Sequence, residues 1–113
     1  MPYIVIRTTE SLSEQQREAI KTELGEKISV IPGKSEGGLM IDFATGCDIY
    51  LSGVKGAATY VHVFVNNVQP PEPLQAFSKE VTRILGNIQN VPDERIYILH
   101  QSVTEWHVGS MFA

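Results

Sequence analysis

The sequence predicts an α/β (α+β) domain in which two similar β-α-β halves form one four-stranded mixed sheet, with both helices on one face and short extra strands beside it. Three observations predict this. Strand-like, helix-like and strand-like stretches recur at a nearly constant offset: 57 residues separate Val5 from His62 and Ile20 from Phe77, and 56 separate Ile41 from Tyr97. The strand-like runs carry apolar residues on both faces, and side chains alternate along a strand, so both faces call for cover. Only two helical segments are available, and two helices cover one face of four strands. The other face is then an apolar patch larger than monomers usually expose, so the chain is expected to assemble with copies of itself through it.

Tyr3-Ile4-Val5-Ile6-Arg7 opens the chain as a β-branched run that reads as a strand. Ser11-Leu12-Ser13-Glu14 follows, and serine with glutamate three residues later reads as a capping box, each side chain satisfying a free N–H of the first helical turn. Leu12, Ile20, Leu24 and Ile28 then fall broadly on one helical face, and Pro32-Gly33 stops the helix. Leu39 to Phe43 is the second strand, and Asp48 to Leu51, between Gly46 and Gly53, is a shorter third. Thr59 to Val65 begins the second half as a strong strand. Pro70-Pro71-Glu72-Pro73 leads into a helix, because proline suits a first turn. Leu74, Phe77, Val81, Ile84, Leu85 and Ile88 trace its apolar stripe. Val91-Pro92-Asp93 punctuates, Arg95 to Leu99 is a strand, and the tail from Trp106 to Phe112 adds a short one. The two halves repeat in pattern, with poor identity between them.

A chain of 113 residues fits one domain, residues 1–113. A domain of this size hides roughly 65% of its unfolded surface, enough for a core without staples. With 42% hydrophobic and 19% charged residues the composition is globular. Net charge is −4 and no basic run occurs, which argues against a nucleic-acid backbone or an anionic membrane as partner. The single cysteine, Cys47, permits neither an internal disulfide nor a cysteine-rich metal site. No apolar run approaches the about 18 residues of a membrane span, and no signal peptide is evident. A cytoplasmic protein is expected.

No glycine-rich nucleotide loop, zinc-protease motif or nucleophile elbow is present. His62, His100 and His107 are scattered; His62 shares a strand face with Tyr60 and Phe64 and reads as a hydrogen-bonded core or interface residue. Pro2 follows Met1 and precedes a strand. Removal of Met1 would leave a proline with a free secondary amine, which can act as a base. While Met1 stays, the same nitrogen is an amide with no basic lone pair.

From end to end the chain resembles the tautomerase superfamily, and within it the macrophage migration inhibitory factor branch. The resemblance is carried by Met1-Pro2-Tyr3-Ile4-Val5-Ile6-Arg7-Thr8-Thr9, by Pro32-Gly33-Lys34, by Ala76-Phe77-Ser78-Lys79, by Val91 to Ile98, and by Val108-Gly109 with Ser110-Met111-Phe112-Ala113. Arg95-Ile96-Tyr97-Ile98 after the Pro-Asp turn is the most specific of these. The resemblance implies a homotrimer with three sites at subunit boundaries, and interconversion of keto and enol forms of 2-oxo acids such as phenylpyruvate. It implies Pro2 as catalytic base, Lys34 beside it as the group that binds substrate carboxylate, and Tyr97 from a neighbouring subunit closing the pocket. No metal or organic cofactor is implied.

The chemistry fits those residues. A base works when it is unprotonated near its proton. A free α-amine titrates near ~7.7–8.0, and burial or a neighbouring cation lowers that value. An ammonium at Lys34 also offsets charge on an enolate oxygen, an effect of a few kcal/mol, on the order of 3.

The chain departs from the branch pattern at two pocket positions. Leu99 stands where asparagine is usual two residues after the tyrosine, and Asn66-Asn67 stand where Ile-Gly is usual. Both are therefore candidate substrate-binding positions, with Lys34 and Tyr97. A Cys-x-x-Cys segment is missing, and the tail before Phe112 is shorter. Two other readings stay open: a non-catalytic binding or signalling protein on the same trimer, and a ferredoxin-like regulatory ligand binder, which predicts a dimer.

Overall fold

In the computed structural model, which describes residues 1–113, the first β-branched run forms β1 (Pro2–Thr8) at the centre of the sheet. It pairs in parallel with β2 (Met40–Ala44) and antiparallel with β5 (Thr59–Asn66). β5 in turn pairs in parallel with β6 (Ile96–Val103), so the order is β2-β1-β5-β6. Each parallel pair is joined by a crossover that contains a helix, α1 (Glu14–Lys27) or α2 (Pro71–Gln89). Two hairpins lie outside the sheet: β3 (Tyr50–Leu51) with β4 (Val54–Lys55), and β7 (His107–Val108) with β8 (Met111–Phe112). The tail read as one strand is thus a hairpin, turned at Gly109 with φ of 60°. No helix is long and apolar enough to cross a membrane.

The doubled unit keeps a constant offset through the second pair of strands. Ile4 pairs with Ile41 and Val61 with Ile98, and 57 residues separate the members of each equivalent couple. Ile41 therefore corresponds to Ile98, one residue beyond the Tyr97 expected from the sequence. The slip matters because one residue along a strand exchanges faces. Ile41 and Ile98 pack against the core, while Tyr97 points to the other side and is 57% exposed.

The capping box also moves. Ser13, not Ser11, is the N-cap: its Oγ accepts from Gln16 N at 3.1 Å, and Gln16 Oε1 accepts from Ser13 N at 2.8 Å. This choice leaves Leu12 outside the helix, where it is buried in the core. The first helix then buries Ile20, Leu24 and Gly25, and its last turn runs into a short 3-10 segment, Ile28–Val30, ahead of Pro32. The second helix buries Phe77, Val81, Ile84, Leu85 and Gln89. Asn90 ends it in the left-handed region, φ 55°, which asparagine tolerates.

One core forms between the helices and one face of the sheet. Ile4 and Ile6 of β1, Val61, Val63 and Val65 of β5, and the helix residues Ile20, Leu24, Phe77 and Leu85 are all fully buried in it. A closed ring of buried hydrogen bonds pins the end of α2 to the sheet. Thr8 Oγ1 donates to Gln89 Oε1 at 3.0 Å, Gln89 Nε2 to Thr59 Oγ1 at 2.8 Å, and Thr59 Oγ1 to Thr8 Oγ1 at 3.0 Å.

No helix covers the other face, as expected, but that face is less apolar than expected. Tyr3 donates its hydroxyl to Asp42, and His62 Nε2 lies 2.9 Å from Gln101 Oε1 while its Nδ1 lies 2.8 Å from Tyr60 Oη. His62 stacks on Phe64 with ring centres 3.9 Å apart. Met40, Tyr97 and Leu99 remain exposed beside this network. Alternation places these residues opposite the core residues of the same strands.

Candidate active site

Pro2 begins β1 and pairs with Val65, so the sheet itself fixes the position of the chain start. Its side chain is buried, while Met1 remains partly exposed. Asn66 follows Val65 at the end of β5. Its backbone N–H donates to the Met1 carbonyl at 3.3 Å, and its Oδ1 accepts from the Met1 ammonium at 2.9 Å.

Lys34 reaches the same point from the end of the first helix. A turn through Gly33, φ 79°, lets Lys34 N donate to Ile31 O at 3.1 Å. The side chain then extends to Asn66, with Nζ donating to Oδ1 at 2.7 Å and to the backbone oxygen at 3.3 Å. Two cationic donors on one oxygen fix the carboxamide orientation, because the amide nitrogen could accept from neither. An ammonium has three hydrogens, so one of Lys34's is left for a ligand.

Burial, and then the Lys34 cation and its hydrogen bonding, push the Met1 ammonium below the ordinary terminal-amine value of 8.0. Each favours the neutral amine. On removal of Met1 the free amine would belong to Pro2, one residue further into the structure.

A cavity of about 580 Å³ opens beside Pro2, lined among others by Gly38, Leu39, Trp106, His107 and Val108. Such a volume suits a small organic acid. Gly38 lies at its wall, where a Cβ would make ordinary van der Waals contact, 3.4 Å from Met1 Sδ and 3.9 Å from Pro2 Cδ. A polar groove of about 620 Å³ along α2, lined by Ser78, Thr82 and Arg83, is comparable in size but holds none of the candidate residues. The Pro2 cavity is the better candidate because its largely apolar lining includes Met1 and Pro2, whereas Lys34 and Asn66, which meet the Met1 amine, are not part of that lining.

Pro2, Lys34 and Asn66 are thus brought together within one chain. Tyr97 and Leu99 are not. Tyr97 pairs with Tyr60, five residues along β5 from Val65, which is roughly 17 Å at strand spacing. Tyr97 instead lines a small apolar cavity of about 160 Å³ with Tyr50, Leu51 and Tyr60, and Leu99 lies 45% exposed on the uncovered sheet face. Trp106, at the start of the tail, lines the Pro2 cavity; Met111 does not. Sequence reasoning missed His107 and Gly38, since nothing in one sequence marks a tail histidine or one glycine of a pair as facing the chain start. No three His, Cys, Asp or Glu side chains converge to hold a metal ion.

Among solved structures, the chain is similar to Leishmania major MIF2, with 22% identity, TM-score 0.94, and coverage of 100% of this chain and 97% of that one. It is also similar to Pt0534 inactivated by 2-oxo-3-pentynoate, at 12% identity and TM-score 0.85, covering 98% and 96% of the two chains. A fused 4-OT described as an asymmetric trimer matches at 9% identity and TM-score 0.85, covering 98% and 95%. No family model matches the chain, and no curated protein matches it either. The fold is the MIF-like fold of these solved structures.

Proposed function

We propose that this chain, with its MIF-like tautomerase fold, is a cofactor-independent keto-enol tautomerase of 2-oxo acids related to phenylpyruvate, acting as a homotrimer. The observation that carries the reading is the convergence of the chain start with Lys34 on Asn66, at 2.9 and 2.7 Å, beside the buried Pro2. With Met1 removed, the Pro2 nitrogen takes the proton from C3 of the keto acid. Electrons move onto the C2 oxygen, and the enolate forms beside the Lys34 ammonium, which holds the substrate carboxylate through its free hydrogen. Proton return to the oxygen completes the enol. A preorganised cation at the developing charge contributes on the order of 3 kcal/mol to such a step.

Assembly supplies the rest. A pocket that includes Tyr97 and Leu99 needs a second copy, because within one chain they lie at the far end of the sheet. The uncovered face, with Tyr97 and Leu99 exposed, is the surface available for it. The name of one similar structure describes a trimer, and that of another describes inactivation by a 2-oxo acid, which supports both parts of the reading.

The test uses protein freed of Met1 and a panel of enolisable 2-oxo acids. Tautomerisation or C3 deuterium exchange should exceed that of Pro2→Ala by at least about a hundredfold, the usual worth of a positioned base. Equal rates across the panel would remove Pro2 as the catalyst. The rival is a binding protein without turnover, which is expected if Met1 is retained, because the Pro2 nitrogen is then an amide and Asn66 engages both the Met1 carbonyl and its ammonium. Mass spectrometry of the native N-terminus separates the two.

A further inference from the structure

Arg95 opens the Arg-Ile-Tyr-Ile run, just ahead of β6, and has no part in the site around Pro2. Its guanidinium donates only to backbone carbonyls of one segment. Nε reaches Ala57 O at 2.6 Å, Nη2 reaches Val54 O at 3.1 Å and Gly56 O at 3.4 Å, and Nη1 reaches Leu51 O at 3.5 Å. None of these partners is a carboxylate, so charge pairing does not account for the residue. The segment is the β3–β4 hairpin and the residues that follow it. Its strands have two residues each and pair only with one another, too little to hold a hairpin in place. The planar fork of one arginine spans both strands, Leu51 on β3 and Val54 on β4. The cavity of about 160 Å³ is lined by Tyr50 and Leu51 from the hairpin and by Tyr60 and Tyr97 from the sheet, and Arg95 belongs to the same lining.

We propose that Arg95 is a positioning residue, which fastens the β3–β4 hairpin to the start of β6 and so holds Tyr50 and Tyr97 as one wall of another copy's Pro2 pocket. This rests on the reading above in which Tyr97 closes a site built on a second chain. Tyr97 lies exposed on the uncovered sheet face, and the hairpin is the element that shares its cavity. A hairpin released from Arg95 leaves the wall formed for only part of the time. Binding then weakens by the inverse of the formed fraction, while a site that is formed and filled turns over at its old rate. The loss therefore falls on KM and not on kcat. A variant that merely folds less well would do the opposite, since fewer active sites lower kcat and leave KM alone.

Arg95→Met keeps the length of the side chain and removes every donor. Arg95→Lys keeps the charge on a single nitrogen and loses the fork. With Met1-free protein and phenylpyruvate, Arg95→Met should raise KM about tenfold, a wall formed about a tenth of the time, with kcat within about twofold. Arg95→Lys should fall between it and wild type, and carries the same comparison if Arg95→Met does not fold. An unchanged KM, or a loss confined to kcat, overturns the proposal. Fluorotyrosine spectra and hydrogen exchange need no turnover. Of the four tyrosines, Tyr50 and Tyr97 should shift in Arg95→Met while Tyr3, at the Pro2 end of β1, stays. Amides of β3 and β4 should exchange at least about tenfold faster. Unmoved tyrosine signals with unchanged exchange overturn the proposal whatever the kinetics. Pro2-dependent turnover with those signals unmoved defeats this inference alone. Shifted signals without Pro2-dependent turnover defeat the tautomerase reading alone.

Discussion

Lys34 and Asn66, 32 residues apart in the chain, meet at 2.7 Å between Nζ and Oδ1, and the same oxygen accepts from the chain terminus at 2.9 Å. Asn66 therefore sets the position of a cation relative to an amine. In the proposed reading its role is to orient, while Lys34 is the group offered to a ligand.

That division predicts unequal losses. Lys34→Ala should lower kcat/KM for a 2-oxo acid by about a hundredfold or more, since it removes the charge that faces the enolate. Asn66→Ala should cost about tenfold, mostly in KM, because the ammonium remains but loses one anchoring bond. Steady-state kinetics on both variants check this. A Lys34→Ala enzyme equal to wild type would place the anchor elsewhere.

The terminal amine gives a pH prediction with a definite sign. Burial first, then Lys34, lowers the Met1 ammonium from 8.0, and the same two causes are expected to act on the Pro2 amine that removal of Met1 would free. A base works when deprotonated, so kcat/KM of the Met1-free enzyme should rise with pH to a plateau reached below pH 8, and Lys34→Ala should move that limb upward. Stability follows the same direction. Between the folded value and 8.0 the unfolded chain holds more protons, so stability rises with pH there and is lost as pH falls through the folded value. Titration of a nitrogen-labelled Pro2 by NMR reads the value directly.

The ring formed by Thr8, Thr59 and Gln89 should be cooperative. Gln89→Leu leaves two buried hydroxyls short of one partner and should destabilise by about 1–3 kcal/mol, with Thr8→Val similar. The double variant should lose less than the two losses added, because both remove the same ring. Urea midpoints at fixed protomer concentration measure this, since assembly couples to stability.

If Tyr97 closes a site built on another copy's Pro2, complementation is expected. Pro2→Ala and Tyr97→Ala proteins, each inactive, should regain activity when unfolded and refolded together, because some hybrid sites then carry both native residues. Sedimentation confirms that the hybrids are trimers. A mixture no more active than its parents would confine each site to one chain.

Much of the architecture was legible because it depends on local periodicity. β-branched runs, an apolar stripe from Leu74 to Ile88 and punctuation by proline and glycine are written within a few residues of one another. The errors were also local. Ser11 and Ser13 both stand three residues ahead of a suitable partner, and burial of Leu12 decided between them. Tyr97 and Ile98 are both plausible strand positions, and pairing with β5 decided which faces the core. Lys34 beside Pro2 was expected through resemblance, and the structure adds that Asn66 joins Lys34 to the Met1 terminus next to Pro2.

By itself the sequence determined the doubled β-α-β plan and the kinds of groups available near the chain start, because spacing and residue type are properties of the chain. Only the tertiary structure decided that Asn66, Lys34 and the amine share one oxygen, that Tyr97 lies far from Pro2, and that His107 borders the cavity. These are distances between residues remote in sequence. They are set by strand register and crossover packing, which no local pattern encodes.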